Sequence, residues 1–343
     1  MRILRRIALF VVIPLAVVLT AGYTWYRVSD TGERWRYEDK LATYCDGLIP
    51  YEESADFTGS REVTLSGDRW EGFGDSGYYS CRLAVLTVNI GLIPDDAVGS
   101  DYDSNILSML DTGSSGSSAY LPVSLGGGWR GHTDMRNTAV VLPCANKKAS
   151  VAVSIDGHES HENPPEARAM AELAATISRK AAARWSCDAD FGGPIPKVWG
   201  WSKATFAPGG AEGACKGIRV PESQWVDWMQ ESDESSTSLR ESCVLGESKE
   251  RDEAVYYVSA SYGPYAQRLR SATDEPGSLN ADAGISRDHA WATAACPGQA
   301  RAIFTIYATE YAAPTKSFLT SALKAFAERS AARHGCTDVK LPS

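Results

Sequence analysis

A chain of 343 residues leaves room for two ordinary domains, each with its own core. Its net charge of −9 comes despite Arg2, Arg5 and Arg6, the only charges before residue 26, so residues 26–343 carry −12. That acidic balance argues against nucleic acid or an anionic lipid surface as ligand.

Residues 1–6 read as a short cytoplasmic tail, followed by a mostly apolar run from Ile7 to Trp25. The run approaches the roughly 20 residues needed to cross a bilayer and exceeds the 7–15-residue apolar core of a cleaved signal. The three arginines place the N-terminus in the cytoplasm and the C-terminal bulk outside, as a single-pass signal-anchor. With so short a tail, no cytoplasmic signalling domain is expected. Residues 26–40, charged and aromatic, read as a stalk.

Export gives the eight cysteines their meaning, because in an oxidising compartment they read as four disulfides. No Cys-x-x-Cys pair occurs, which weakens zinc and thioredoxin-like readings. Cys45, Cys81, Cys144 and Cys187 form one set, and Cys215, Cys243, Cys296 and Cys336 repeat its order. Each set opens on Cys-x-Gly and closes on an alanine- and arginine-rich segment, 181–184 and 330–333. The expectation is α+β: two tandem repeats, each a small, mainly antiparallel sheet with a C-terminal helix packed on it. The first occupies 41–190 and the second 214–338, joined by a glycine- and proline-rich linker at 191–213.

Strands are expected at 83–90, 138–142 and 149–155 in the first repeat, and at 255–261, 290–294 and 302–308 in the second. Residues 91–136 and 262–287, rich in Gly, Ser and Asp, read as exposed loops with one short extended piece at 120–124. Pro164-Pro165 and Pro314-Thr315 start the two helices. Met170, Leu173, Ala174, Ile177, Ala181 and Trp185 mark the buried stripe of one; Leu319, Ala322, Leu323 and Phe326 mark that of the other. A strand of about ten residues and a helix of about twenty both span roughly 30 Å. A helix folded back along its strand therefore ends beside the strand's beginning. That selects Cys144–Cys187 and Cys296–Cys336, and leaves Cys45–Cys81 and Cys215–Cys243.

Candidate chemistry is sparse. Leu110-Asp111-Thr112-Gly113-Ser114 looks like the signature of pepsin-like aspartic proteases, but that chemistry needs two carboxylates sharing a proton and no second such tripeptide occurs. His158 and His161, among three acids in a loop, are a weak metal candidate lacking the His-Glu-x-x-His spacing. His132, His289 and His334 are scattered, the last at a helix end where a cation suits the dipole. Trp225 and Trp228 suit one face of a short helix. With Trp199 and Trp201 they could line a groove or a contact between the repeats.

With the anchor, the stretch Leu121-Pro122-Val123-Ser124-Leu125-Gly126-Gly127-Gly128-Trp129 and Val141-Leu142-Pro143-Cys144-Ala145, the chain resembles membrane-anchored exported proteins of streptomycetes and related actinobacteria. Arginine outnumbering lysine suits a GC-rich genome. The resemblance implies export and anchoring, and it carries no activity. The sequence reading is therefore a non-enzymatic, membrane-anchored extracytoplasmic binding or accessory protein, with an envelope protein as partner and no cofactor. The alternative is a cell-envelope hydrolase using Asp111 or the His158/His161 loop.

Overall fold

The computed structural model describes residues 8–72, 77–98, 106–110, 121–134, 136–157, 164–196, 198, 204–248, 253–271, 279 and 281–343. After a π-helical turn at Ala8–Val12, helix α1 runs from Ile13 to Val28, with Pro14 in its first turn. None of its residues is buried, and Phe10–Val28 is long and apolar enough to cross a membrane. Ser29 then breaks the helix with extended backbone and caps α2 (Asp30–Leu41) by accepting the Gly32 N–H. Gly32 is needed there, because a Cβ would collide with the Tyr26 carbonyl. The segment expected as a stalk, 26–40, is thus tied into the core through Tyr37, which with Leu41 just beyond it is buried beside Ile49, Leu83 and Leu173. Helix α3 (Tyr51–Thr58) follows, and Ser54 accepts from the buried Tyr37 hydroxyl at 2.7 Å.

The fold is mixed α+β with two antiparallel sheets. The first holds β1 (Leu65–Glu71), β2 (Tyr78–Leu83), β3 (Leu86–Pro94), β4 (Val123–Ser124), β5 (Gly131–Thr133), β6 (Asn137–Pro143) and β7 (Ala149–Asp156), in the order β1-β2-β3-β7-β6-β5-β4. Val151, Val153 and Ile155 of β7 alternate towards helix α4 (Pro164–Arg184), whose Met170, Leu173, Ala174, Ile177 and Ala181 meet them. The second sheet holds β8 (Trp228–Glu231), β9 (Arg240–Glu247), β10 (Glu253–Ser261), β11 (Gly284–Ile285), β12 (His289–Ala295) and β13 (Ala302–Ala308), with helix α5 (Pro264–Ser271) after β10. Its order is β11-β12-β13-β10-β9-β8. Helix α6 (Lys316–Arg333) buries Phe318, Leu319, Ala322, Leu323 and Phe326 against Phe304 and Ile306, and β14 (Thr337–Lys340) pairs with β12.

Three expectations need correction. The strand placed at 83–90 spans a hairpin turn, because Ala84 adopts φ +52 and divides β2 from β3. Residues 91–136 and 262–287 are not simply exposed loops. A 3₁₀ turn at Ile106–Leu110 lies on the second face of the first sheet, with Ile106, Leu107, Met109 and Leu110 buried beside Ile93, Val141 and Ala152. Helix α5 lies on the second face of the second sheet, where Ala266 packs with Trp291 and Ile303. The third correction concerns 191–213. Gly192 lies flat on the Trp129 ring, Trp129 donates to the Gly193 carbonyl at 2.8 Å, and Phe206 bridges to Met229 of β8. The connection is packed down at both ends.

The halves meet through those second faces. Leu239 and Tyr265 enter the cluster on the first sheet, and Leu121 joins Trp228, Val244 and Ala254 on the second. The Gln267 amide donates to the Pro94 and Asp95 carbonyls at 3.1 and 2.8 Å, and Ser124 donates twice to Asp233.

Four disulfides join Cys45 to Cys81, Cys144 to Cys187, Cys215 to Cys243 and Cys296 to Cys336. Helices α4 and α6 end alike. Ser186 (φ +50) and Gly335 (φ +66) turn left-handed, and the next N–H, of Cys187 or Cys336, reaches back to Ala182 or Ala331 at 2.8 Å. A Cβ at Gly335 meets no atom, so Gly335→Ala is purely a backbone penalty and should cost about 1 kcal/mol. Ser186→Gly should act in the opposite direction, with a gain below about 1 kcal/mol because glycine also loosens the unfolded chain. Urea unfolding of the two variants checks both signs.

Candidate functional site

Five of the candidates raised by the sequence, Asp111, His158, His161, Trp199 and Trp201, lie outside the described residues. The other two tryptophans do not share a helix face. Trp225 ends a 3₁₀ turn in left-handed backbone and is 66% exposed. Trp228 begins β8 and is buried with its ring on Gly246, where a Cβ would overlap it, so only Trp225 faces solvent. The helical spacing misled because Asp227 continues into sheet pairing, its N–H donating to the Gly246 carbonyl at 2.8 Å.

The structure instead gathers polar groups at two places. One lies beneath the end of α6. Glu241 of β9 is wholly buried, and its carboxylate accepts from Ser330 Oγ at 2.7 Å and Arg333 Nη1 at 2.6 Å, while His334 Nε2 lies 2.9 Å from its other oxygen. Tyr262 stacks on the His334 ring at 3.7 Å between centroids and shares a hydrogen bond with Ser330. Burial alone would raise the Glu241 pKa, but the hydrogen bonds from His334 and Arg333 outweigh it and hold the carboxyl below its usual range. The order of contacts is informative. A nucleophilic serine needs a histidine to take its proton, with the acid behind the histidine. Here Ser330 and His334 each address Glu241, so the acid stands between them and the serine is not activated.

The sequence had His334 as a helix-end cation. What it missed was Glu241, two residues before Cys243, whose position opposite the helix end emerges only from the sheet. At the same offsets from Cys81 and Cys187 the first half carries Tyr79, Ala181, Arg184 and Trp185. There Arg184 turns outward to Asp46 at 2.7 Å, and Trp185 packs on the core.

The second cluster lies where the halves meet. His132 of β5 is fully buried, neither ring nitrogen has a hydrogen-bond partner among the described residues, and the Tyr265 ring stands edge-on at 5.1 Å. Arg240 is the charge that acts on it, and Asp134 acts on the adjoining Tyr265. Burial, then the Arg240 charge, pushes the His132 pKa well below its ordinary value, so the ring is neutral at pH 7. Asp134 is held in place by the backbone N–H groups of Arg136 and Asn137 at 3.1 and 2.6 Å, and burial raises its pKa against that pull. Among the described residues, no three His, Cys, Asp or Glu side chains come together as a metal set.

No family model matches the chain, and no curated protein matches it in sequence. The crystal structure of DynU16, from the dynemicin biosynthetic locus, aligns over 83% of this chain and 92% of its own. The identity is 9% and the TM-score 0.15, too low to carry an argument about fold or activity.

Two stability effects follow. Glu241→Ala leaves His334 and Ser330 without their acceptor and Arg333 with Glu234 alone, and should lower unfolding free energy by about 1–3 kcal/mol in urea melts. For His132 the folded pKa lies below the unfolded value near 6.5, so its contribution is complete above that pH and declines as the pH falls. Between pH 7 and 5 the wild type should therefore lose up to about 2 kcal/mol more than His132→Phe, measured by the same melts at each pH.

Proposed function

We propose that the chain is a single-pass, membrane-anchored accessory or binding protein, with its N-terminus cytoplasmic and its disulfide-bonded body outside. The observation that carries this reading is α1. It is an apolar helix with no buried residue, and it runs directly into a body closed by four disulfides. In a soluble protein such a helix would bury its apolar surface; in a bilayer it need not. Disulfides of this density suit an oxidising compartment.

The body is best read as two copies of one module. Strand orders β1-β2-β3-β7-β6 and β8-β9-β10-β13-β12 correspond element by element, each flanked by a helix that ends on a left-handed residue and a cysteine. A further likeness supports this. Asp68 pairs across the strand with Cys81 and accepts the Cys45 N–H at 3.2 Å; Glu231 pairs with Cys243 and accepts the Cys215 N–H at 2.8 Å. In both halves a carboxylate beside the second cysteine fixes the backbone of the first. We read the role as binding rather than chemistry, because Asp68, Glu231 and Glu241 are used in seating turns and a helix end. A partner in the envelope would relay any signal.

Anchoring and sidedness are tested together in intact cells. The chain should resist carbonate extraction, and its cysteines should react with a membrane-impermeant maleimide only after reduction. Replacing residues 1–28 with a cleavable secretory signal should release it. Labelling that requires cell lysis would overturn the assigned sidedness.

A further inference from the structure

We infer that the folded body sits down on the outer leaflet of the bilayer through a second, non-spanning contact made by Trp35, Val63 and Val85 around the exit of α1. The inference rests on the anchored reading above and adds to it, since a single span with a flexible exit would leave the body free to tumble.

The exit is not flexible. Helix α2 crosses back over the last turn of α1 at Gly32, and Trp25 and Trp35 meet edge to face at 5.6 Å with about half of each still exposed. Arg36 donates to the Tyr26 carbonyl at the end of α1, and its Nε pairs with Glu62 at 3.1 Å. Glu62 opens the 3₁₀ turn Glu62–Thr64, and Thr64 accepts the Ala84 N–H at 2.8 Å. A short chain of hydrogen bonds thus ties the helix end to the two turns that carry Val63 and Val85.

Both valines are turned out to solvent, Val63 at 78% and Val85 at 50%. One exposed valine is ordinary on any protein surface. Two of them, with a tryptophan pair and Tyr23, at the point where an apolar helix leaves its bilayer are what an interfacial contact requires. Helix α2 carries four acidic and three basic side chains, so it offers no cationic face for acidic lipid. The occupant is therefore the headgroup–acyl boundary of a neutral bilayer, reached by apolar and aromatic side chains.

The test uses the full chain in phosphatidylcholine vesicles containing lipid with doxyl groups at shallow or deep positions. Single cysteines labelled with an environment-sensitive fluorophore are placed by Val63→Cys, Val85→Cys, Val18→Cys within α1, and Tyr311→Cys on the second half. The native cysteines are all in disulfides, so the added thiol alone is labelled. The expected result is strong quenching of Val18→Cys by deep doxyl groups. Val63→Cys and Val85→Cys should be blue-shifted and quenched by shallow ones, several-fold more than Tyr311→Cys.

Quenching at position 18 with positions 63 and 85 matching 311 would overturn the docking and leave the anchor intact. No quenching at position 18 would remove the anchor, and the docking with it. A blue shift at 63 and 85 without lipid quenching would assign the surface to a protein contact instead. Quenching that appears only when phosphatidylserine is added would replace the apolar seat with an electrostatic one.

Discussion

The left-handed turn and disulfide that close each C-terminal helix set the geometry of everything packed beneath. Helices α4 and α6 lie across their sheets with alanine-rich stripes, Ala171, Ala174 and Ala181 in one, Ala322, Ala327 and Ala331 in the other. Small side chains bring helix and sheet close but supply little area each, so burial alone fixes the helix weakly along its axis. A bond from Cys187 or Cys336 to the strand-end cysteine removes that sliding freedom. In the chain-entropy model, loops of 43 and 40 residues closed this way are worth about 4 kcal/mol each. With the helix pinned, large residues such as Phe318 and Phe326 can fill fixed holes.

The contact between the halves is of another kind. Each sheet uses one face for its helix, and its second face carries buried polar side chains, Ser150 and Ser154 on one and Thr293 and Thr305 on the other, among alanines and a few large apolar groups. Such a layer contributes less per unit area than an aliphatic core, so directional bonds bear more of the positioning. The Gln267 amide on the β3 end and the Asp233 carboxylate on Ser124 supply them at separate points of the contact. His132, buried there with no hydrogen-bond partner among the described residues, works against it, and does so more strongly as the pH falls.

What the sequence disclosed follows from how local each signal is. Period and capping sufficed for α4 and α6: Thr315 is an N-cap with its oxygen on the Phe318 N–H, and the predicted stripes are the buried ones except at Trp185, which lies half-buried just past the end of α4. The cysteine pairs were legible because a helix and a strand of equal length leave little choice of partner. Non-local burial was not legible. Residues 106–110 are buried because a sheet face lies beneath them, and nothing in Ile-Leu-Ser-Met-Leu between polar stretches says so. Glu241 and His334 are 93 positions apart, and their meeting depends on strand order. The tryptophan spacing at 225 and 228 fitted a helix as well as a turn entering a strand, and here edge pairing overrode it.

The ends of α4 and α6 are seated differently, and the difference separates what holds a helix down from what orients it. At the end of α4 the half-buried Trp185 packs on the apolar core; beneath the end of α6 lies a buried carboxylate with three donors. A buried ionic set is worth little more than a packed apolar one of equal volume, and often less. The end of α4 is held instead by the packing of Trp185 and by the exposed Arg184–Asp46 pair. The Glu241 set therefore adds direction more than net stability. Its donors come from Ser330, Arg333 and His334, on one side of the last turn of α6, and they satisfy a single carboxylate only at one rotation of the helix. Trp185 imposes no such condition, and in its half Arg184 is left free to reach outward to the Cys-x-Gly turn at Asp46.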